Sequence, residues 1–161
     1  MDEEAHMFTR FAIAVFTGFV LIIPMQVMGS DAKQVSPATC IAADGRDQWR
    51  LDYTESGVKN STSAYTHVFC AIPRDNAWNT SGTKSVLAYL YDGSYSYNFW
   101  CAFNTCYSSG NSCSWSSGST YGTGYRTLNL DLSWSRPTGA YTLECWVPPY
   151  SQIRSVFLNE W

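Results

Sequence analysis

The sequence predicts an all-β protein: a single antiparallel β-sandwich, jelly-roll-like, after an N-terminal apolar signal helix. Three observations carry this. Beyond residue 47, apolar side chains recur at every second position in about seven runs, separated by clusters of Gly, Pro, Asn, Asp and Ser. No stretch of that part has the spacing of an amphipathic helix. All six cysteines follow the apolar leader, and an even count in an exported domain reads as three disulfides. Length and composition fit one domain of this class.

Residues 11–27, FAIAVFTGFVLIIPMQV, carry no charge, and the small residues Gly29, Ser30 and Ala32 follow. This is the layout of a secretory signal peptide, with a cleavage site after Gly29 or Ala32. Residues 1–32 are therefore assigned to the leader and 33–161 to the mature domain. Met1 to His6 is acidic and makes a poor n-region, so Met7 is the better start. Retained instead of cleaved, the segment would be a membrane anchor near the lower length limit, although Pro24 and the small residues argue for cleavage. The expected location is secreted, periplasmic or extracellular.

The formal net charge of −3 resides in the leader, since Asp2, Glu3, Glu4 and Asp31 face Arg10 alone. The mature part is neutral, which argues against nucleic acid or an anionic membrane as partner. No Cys-x-x-Cys pair occurs and His67 is the one histidine left after cleavage, so neither a metal site nor a cofactor is expected.

In chain order, residues 48–54 alternate Trp49, Leu51 and Tyr53 against Arg50 and Asp52, the pattern of a half-buried strand. A polar loop is expected over 55–63. Asn60-Ser61-Thr62, like Asn79-Thr80-Ser81, matches the glycosylation acceptor pattern, which marks exposed loops. Residues 64–72 place Val68, Cys70 and Ile72 opposite His67 and Phe69. His67 suggests a general base, but that role needs a positioned partner, and none is evident. Residues 85–91 and 95–103 flank Asp92-Gly93 and read as a hairpin.

Residues 104–124 contain almost no aliphatic side chains and read as a polar loop that Cys106 and Cys113 could close into a ring, displaying Tyr107, Trp115 and Tyr121. Strand character resumes over 125–134, with Leu128, Leu130 and Leu132 on one face. After the Arg136–Gly139 turn, residues 140–147 set Tyr141, Leu143, Cys145 and Val147 against Thr142, Glu144 and Trp146. Residues 151–158 form the last strand, reading Ile153, Ser155 and Phe157 against Arg154, Val156 and Leu158.

A cysteine after the leader, then FCAIPRD (69–75), WCAF (100–103), YTLECWVPP (141–149) and the terminal IRSVFLNEW together resemble a loose group of small exported bacterial proteins of uncharacterised function, built on a four-cysteine β frame. The likeness spans most of the mature chain and implies no activity. It implies the pairing Cys40 with Cys70, Cys101 with Cys145, and Cys106 with Cys113, the last as an insertion on the frame. The six cysteines by themselves permit fifteen pairings.

Seven tryptophans and eleven tyrosines, flanked by Asn, Ser and Asp, point to binding of carbohydrate or of a cell surface. The candidate residues are Trp78, Trp100, Tyr107, Trp115 and Tyr121. Aromatic residues are also ordinary β formers, so Trp100 is equally expected as a cross-strand residue. The alternative is a structural, self-associating envelope subunit or a binder of extracellular protein, since Tyr/Ser/Gly loops make adaptable contacts and strand edges can pair. An enzyme is the least favoured reading. Asp52, Asp75, Asp92, Asp131 and Glu144 are scattered, no nucleophile elbow is present, and no catalytic residue is assigned.

Overall fold

The computed structural model describes residues 31–74, 83–107, 109, 112–135 and 139–160. Residues 1–30 of the leader, the acceptor sequence at Asn79 and the tip of the turn at 136–138 fall outside them. The described chain forms a sandwich of two antiparallel sheets. The strands are β1 (Asp31–Val35), β2 (Cys40–Ala42), β3 (Leu51–Thr54), β4 (Gly57–Asn60), β5 (Thr66–Ile72), β6 (Lys84–Asp92), β7 (Trp100–Cys106), β8 (Cys113–Ser119), β9 (Gly124–Leu132), β10 (Ala140–Val147) and β11 (Gln152–Glu160). One sheet runs β2-β5-β10-β7-β8; the other runs β3-β4-β11-β6-β9, with β1 also paired to β11. No helix among the described residues is long and apolar enough to cross a membrane.

The alternation read from the sequence places the core where it is found. Val68, Cys70 and Ile72 of β5, Val86, Ala88 and Leu90 of β6, Leu128, Leu130 and Leu132 of β9, and Tyr141, Leu143, Cys145 and Val147 of β10 all turn inward and are buried. Three disulfides join Cys40 to Cys70, Cys101 to Cys145 and Cys106 to Cys113. Each links residues directly opposite one another on neighbouring strands of the five-stranded sheet.

Five expectations are corrected. The strands on either side of Asp92-Gly93 do not form a hairpin, because β6 lies in one sheet and β7 in the other. The Asp92 side chain is buried and accepts hydrogen bonds from Ser94 N at 3.0 Å and Ser151 Oγ at 3.3 Å. Gly93 N donates to Ser151 Oγ, and a Cβ on Gly93 would meet the Tyr150 carbonyl at 2.5 Å. The pair thus anchors a crossover against the Pro149–Ser151 corner, and Tyr95 and Tyr97 lie in the connection.

Residues 48–50 belong to a 3-10 helix, Gly45–Arg50, capped by Asp44, whose side chain accepts from Arg46 N. That charge-assisted hydrogen bond, the largest influence, holds the Asp44 carboxyl below its ordinary range. Trp49 is consequently 71% exposed instead of half-buried in a strand. Residues 113–119, expected in a loop, form strand β8, because a strand needs backbone pairing more than aliphatic content and β7 supplies it along seven registered positions. On β11 the alternation breaks at Arg154, where a bulge turns Val156 and Leu158 to the same inward face as Ile153.

The fifth correction concerns Asn60. It ends β4, is fully buried, and its Nδ2 donates to the carbonyls of Ala64 at 2.7 Å and of Val147 and Pro148 at 3.0 Å each. Its Oδ1 accepts from Thr62 N and Oγ1. The sequence Asn60-Ser61-Thr62 is a structural corner, not an exposed glycan acceptor.

Two predictions follow from these buried groups. Asn60→Asp keeps the shape but sets a carboxylate oxygen against three carbonyls, so unfolding in urea at pH 7 is expected to show a loss of about 3 kcal/mol or more. Burial is the main cause that raises the Tyr141 phenol from 10.0 to about 12. A raised pKa favours the neutral form in the fold, so this contribution is intact below pH 10.0 and is lost as pH rises toward 12. Burial lowers the pKa of Lys84, which acts in the opposite sense below pH 10.5, so the reading is the difference between wild type and Tyr141→Phe. Tyr141→Phe is expected to flatten the alkaline fall in stability across pH 10 to 12, measured by denaturant titration at each pH.

Candidate functional site

The outward-facing residues of the five-stranded sheet form rows set by strand register. His67, Trp146, Trp100 and Ser119 stand opposite one another across β5, β10, β7 and β8. Two residues along lie Ile41, Phe69, Glu144, Ala102 and Ser117, and two further lie Ala71, Thr142, Asn104 and Trp115. Inward cysteines and aliphatics alternate with these positions, so the pattern that fills the core also decides which residues are displayed.

At the centre the polar groups hold one another. His67 Nε2 and Glu144 Oε1 are 2.6 Å apart, and Asn104 Nδ2 donates to Glu144 Oε2 at 3.1 Å. Because the carboxylate accepts, the His67 proton belongs on Nε2 in either charge state. The His67 ring stacks on the Trp146 indole with centroids 4.4 Å apart and planes at 5°, and it tilts against Phe69 at 4.9 Å. One face of the indole is thereby covered, yet Trp146 remains 44% exposed.

Glu144 keeps unused lone pairs on both oxygens, and Asn104 keeps its carbonyl. The result is a fixed set of hydrogen-bonding groups beside an open ring. At one end of the face, Tyr65 Oη donates to the Asn98 carbonyl at 3.0 Å and its ring meets Tyr97 edge-on at 5.2 Å. Burial is the main influence raising the Tyr65 phenol above its ordinary value, which keeps it a donor. Toward the β2 edge the face dips into a mainly apolar hollow of about 360 Å3 lined by Thr39, Ile41, Phe69, Ala71 and Thr142.

Trp100 and Trp146 are directly opposed, about 5 Å apart at Cα by strand spacing. Trp115 stands on the neighbouring strand, four positions along from Ser119, which faces Trp100; that puts it about 14 Å from Trp100. It is 64% exposed. The predicted site residues therefore separate. Trp100 and Trp115 share this face. Tyr107 follows the Cys106 end of β7, whereas Tyr121 follows the far end of β8, so a strand of about 20 Å divides them. Trp78 lies outside the described residues.

Four residues of the face are absent from that candidate set: Trp146, Glu144, His67 and Asn104. For His67, Glu144 and Trp146 the same-face placement is readable, since 64–72 and 140–147 alternate cleanly; Asn104, expected at the start of the 104–124 loop, instead lies within β7. The antiparallel register that brings His67 to Trp146 is a long-range property, and no local pattern encodes it. Among the described residues no three His, Cys, Asp or Glu side chains converge as a metal site.

No protein-family model matches the chain. No curated protein matches it either. Solved structures do: a xylan-binding module, CBM15, overlays with a TM-score of 0.53 at 13% identity, covering 81% of this chain and 97% of the module. CBM35 from Cellvibrio japonicus Abf62 overlays with a TM-score of 0.45 at 15% identity, covering 80% of this chain and 92% of that one. The chain thus has the β-sandwich architecture found in carbohydrate-binding modules.

Proposed function

We propose that the chain is an exported glycan-binding domain whose ligand lies across the outer face of the five-stranded sheet, over Trp146, Trp100 and Trp115. The observation that carries this reading is that three tryptophans from three adjacent strands share one face, around a prearranged carboxylate and carboxamide. The C–H faces of a pyranose ring stack on an indole, while its hydroxyls need donors and acceptors held in place, and Glu144, Asn104 and Thr142 supply them. Holding these groups before the ligand arrives removes ordering cost from binding.

The face is open, and Trp115 stands about 14 Å from Trp100. That suits a run of consecutive sugars along a neutral polysaccharide more than a single enclosed residue. The fold neighbour named for xylan binding is consistent with this class of ligand. Three disulfides fit an oxidising, extracytoplasmic setting. Glycosidic hydrolysis needs two carboxyl groups flanking the bond. Glu144 is the one carboxylate on the described strands of this face, and it is tied to His67 and Asn104, which favours binding over catalysis.

Titration calorimetry of the oxidised domain against a panel of neutral oligosaccharides and soluble polysaccharides tests the reading. Trp146→Ala and Trp100→Ala are each expected to weaken the best ligand at least about tenfold, equivalent to roughly 1.4 kcal/mol. Trp49→Ala, an exposed tryptophan of the 3-10 helix, is expected to leave affinity unchanged. Absence of binding across the panel by folded protein, or equal losses in all three variants, would contradict it.

A further inference from the structure

The opposite side of the sandwich carries a second hollow, of about 410 Å3, on the outer face of the six-stranded sheet. Its origin is a fault in the sheet. Along one edge of β11, β4 pairs only with Gln152 and Ile153, and β1 takes over from Val156. Arg154 and Ser155 are left without a strand partner on that edge, between Gln34 of β1 and Ser56 of the β3–β4 turn, both of which line the hollow.

On the other edge Leu90 opposes Ile153 and Tyr89 opposes Ser155, so Arg154 is the extra residue of a bulge. Bulges re-aim side chains, and they recur beside sites. Here the bulge directs the guanidinium over the Tyr125 ring, 5.1 Å from its centroid. Gly57, at φ +134, permits the close approach, since a Cβ there would lie 2.1 Å from the Ile153 carbonyl.

The chemistry of the hollow differs from that of the tryptophan face. Its walls include Tyr89 and Tyr125, the latter 69% exposed, and among the described residues the charged ones lining it are Arg126 and Arg154. Arg126 is engaged by the carbonyls of Tyr121, Gly122 and Tyr125. Arg154 lies over the Tyr125 ring, and its N–H fork meets no carboxylate among the described residues. A guanidinium fixed by stacking, with an open fork, is a receptor for a carboxylate in bidentate geometry.

We propose that this hollow is a second saccharide site, selective for a sugar bearing a carboxylate: the ring packs on Tyr125 and Tyr89, and the uronate group pairs with Arg154. The class of ligand rests on the glycan reading of the protein, whereas the location is independent of the tryptophan face. The chain would then hold neutral and acidic segments of glycan on opposite sides of one sandwich.

The test is calorimetry with an oligogalacturonate, beside a neutral oligosaccharide of equal length that binds the tryptophan face, at low and at high sodium chloride. Wild type is expected to bind the oligogalacturonate with an affinity that falls as salt rises. Arg154→Gln is expected to reduce it at least about tenfold. Arg154→Lys, which keeps the charge but loses the fork, is expected to fall between the two. Trp146→Ala is expected to leave oligogalacturonate binding intact while weakening neutral binding at least about tenfold, so the two sites fail or succeed separately. Thermal unfolding of each variant confirms that the bulge still folds. No binding of the oligogalacturonate, retention of affinity in folded Arg154→Gln, or loss of affinity in Trp146→Ala would overturn the proposal.

Discussion

The five-stranded sheet depends on register, and the disulfides hold it. In a strand the side-chain period is two, so a slip of one residue would send the displayed set inward and the core set outward. Three of the four strand junctions in this sheet, β2–β5, β10–β7 and β7–β8, carry a cystine between directly opposed residues. None joins the two sheets. The fourth junction, β5–β10, has instead the His67–Trp146 stack and the His67–Glu144 hydrogen bond on its outer side. Covalent links and the polar cluster thus fix the same thing, the alignment of five strands whose outward residues make one surface.

The two outer faces follow from different deviations. The tryptophan face is regular sheet, and its chemistry comes from what alternates with cysteine and aliphatic residues. Cys101 and Cys145 point inward, so Trp100 and Trp146 on one side of them, and Ala102 and Glu144 on the other, point outward. The face of the six-stranded sheet gains its hollow from irregularity: a bulge at Arg154 and two short strands that share one edge of β11. Regular strand yields a flat, extended surface; the fault yields a recess with charge in it.

Legibility in the sequence followed the range of the determining interactions. The sandwich class and the inward faces of β5, β6, β9 and β10 were readable because alternation is local. Trp115 was readable as exposed because nothing apolar accompanies it. The hairpin expected at Asp92-Gly93 failed because a buried carboxylate bound to Ser94 and Ser151 redirects the chain between sheets, and Ser151 is distant in sequence. Strand β8 was hidden because Ser-Trp-Ser-Ser-Gly-Ser carries no aliphatic alternation, and only pairing to β7 makes it a strand. His67 had no visible partner because Glu144 reaches it through register alone. Asn60 shows the same limit: an acceptor pattern becomes a buried corner once the distant carbonyls of Val147 and Pro148 join that of Ala64 around its amide.

The central claim is that the glycan lies on the tryptophan face, and indole N–H resonances report it directly. A 15N-labelled domain titrated with the best neutral oligosaccharide, with each indole assigned by single Trp→Phe replacement, gives the answer in one series of spectra. The expected result is progressive shifts of the Trp100, Trp115 and Trp146 indole signals with one common binding isotherm, while Trp49 and Trp134 stay in place. Shifts confined to Trp49 or Trp134, or binding that leaves the three face indoles unmoved, would contradict the account.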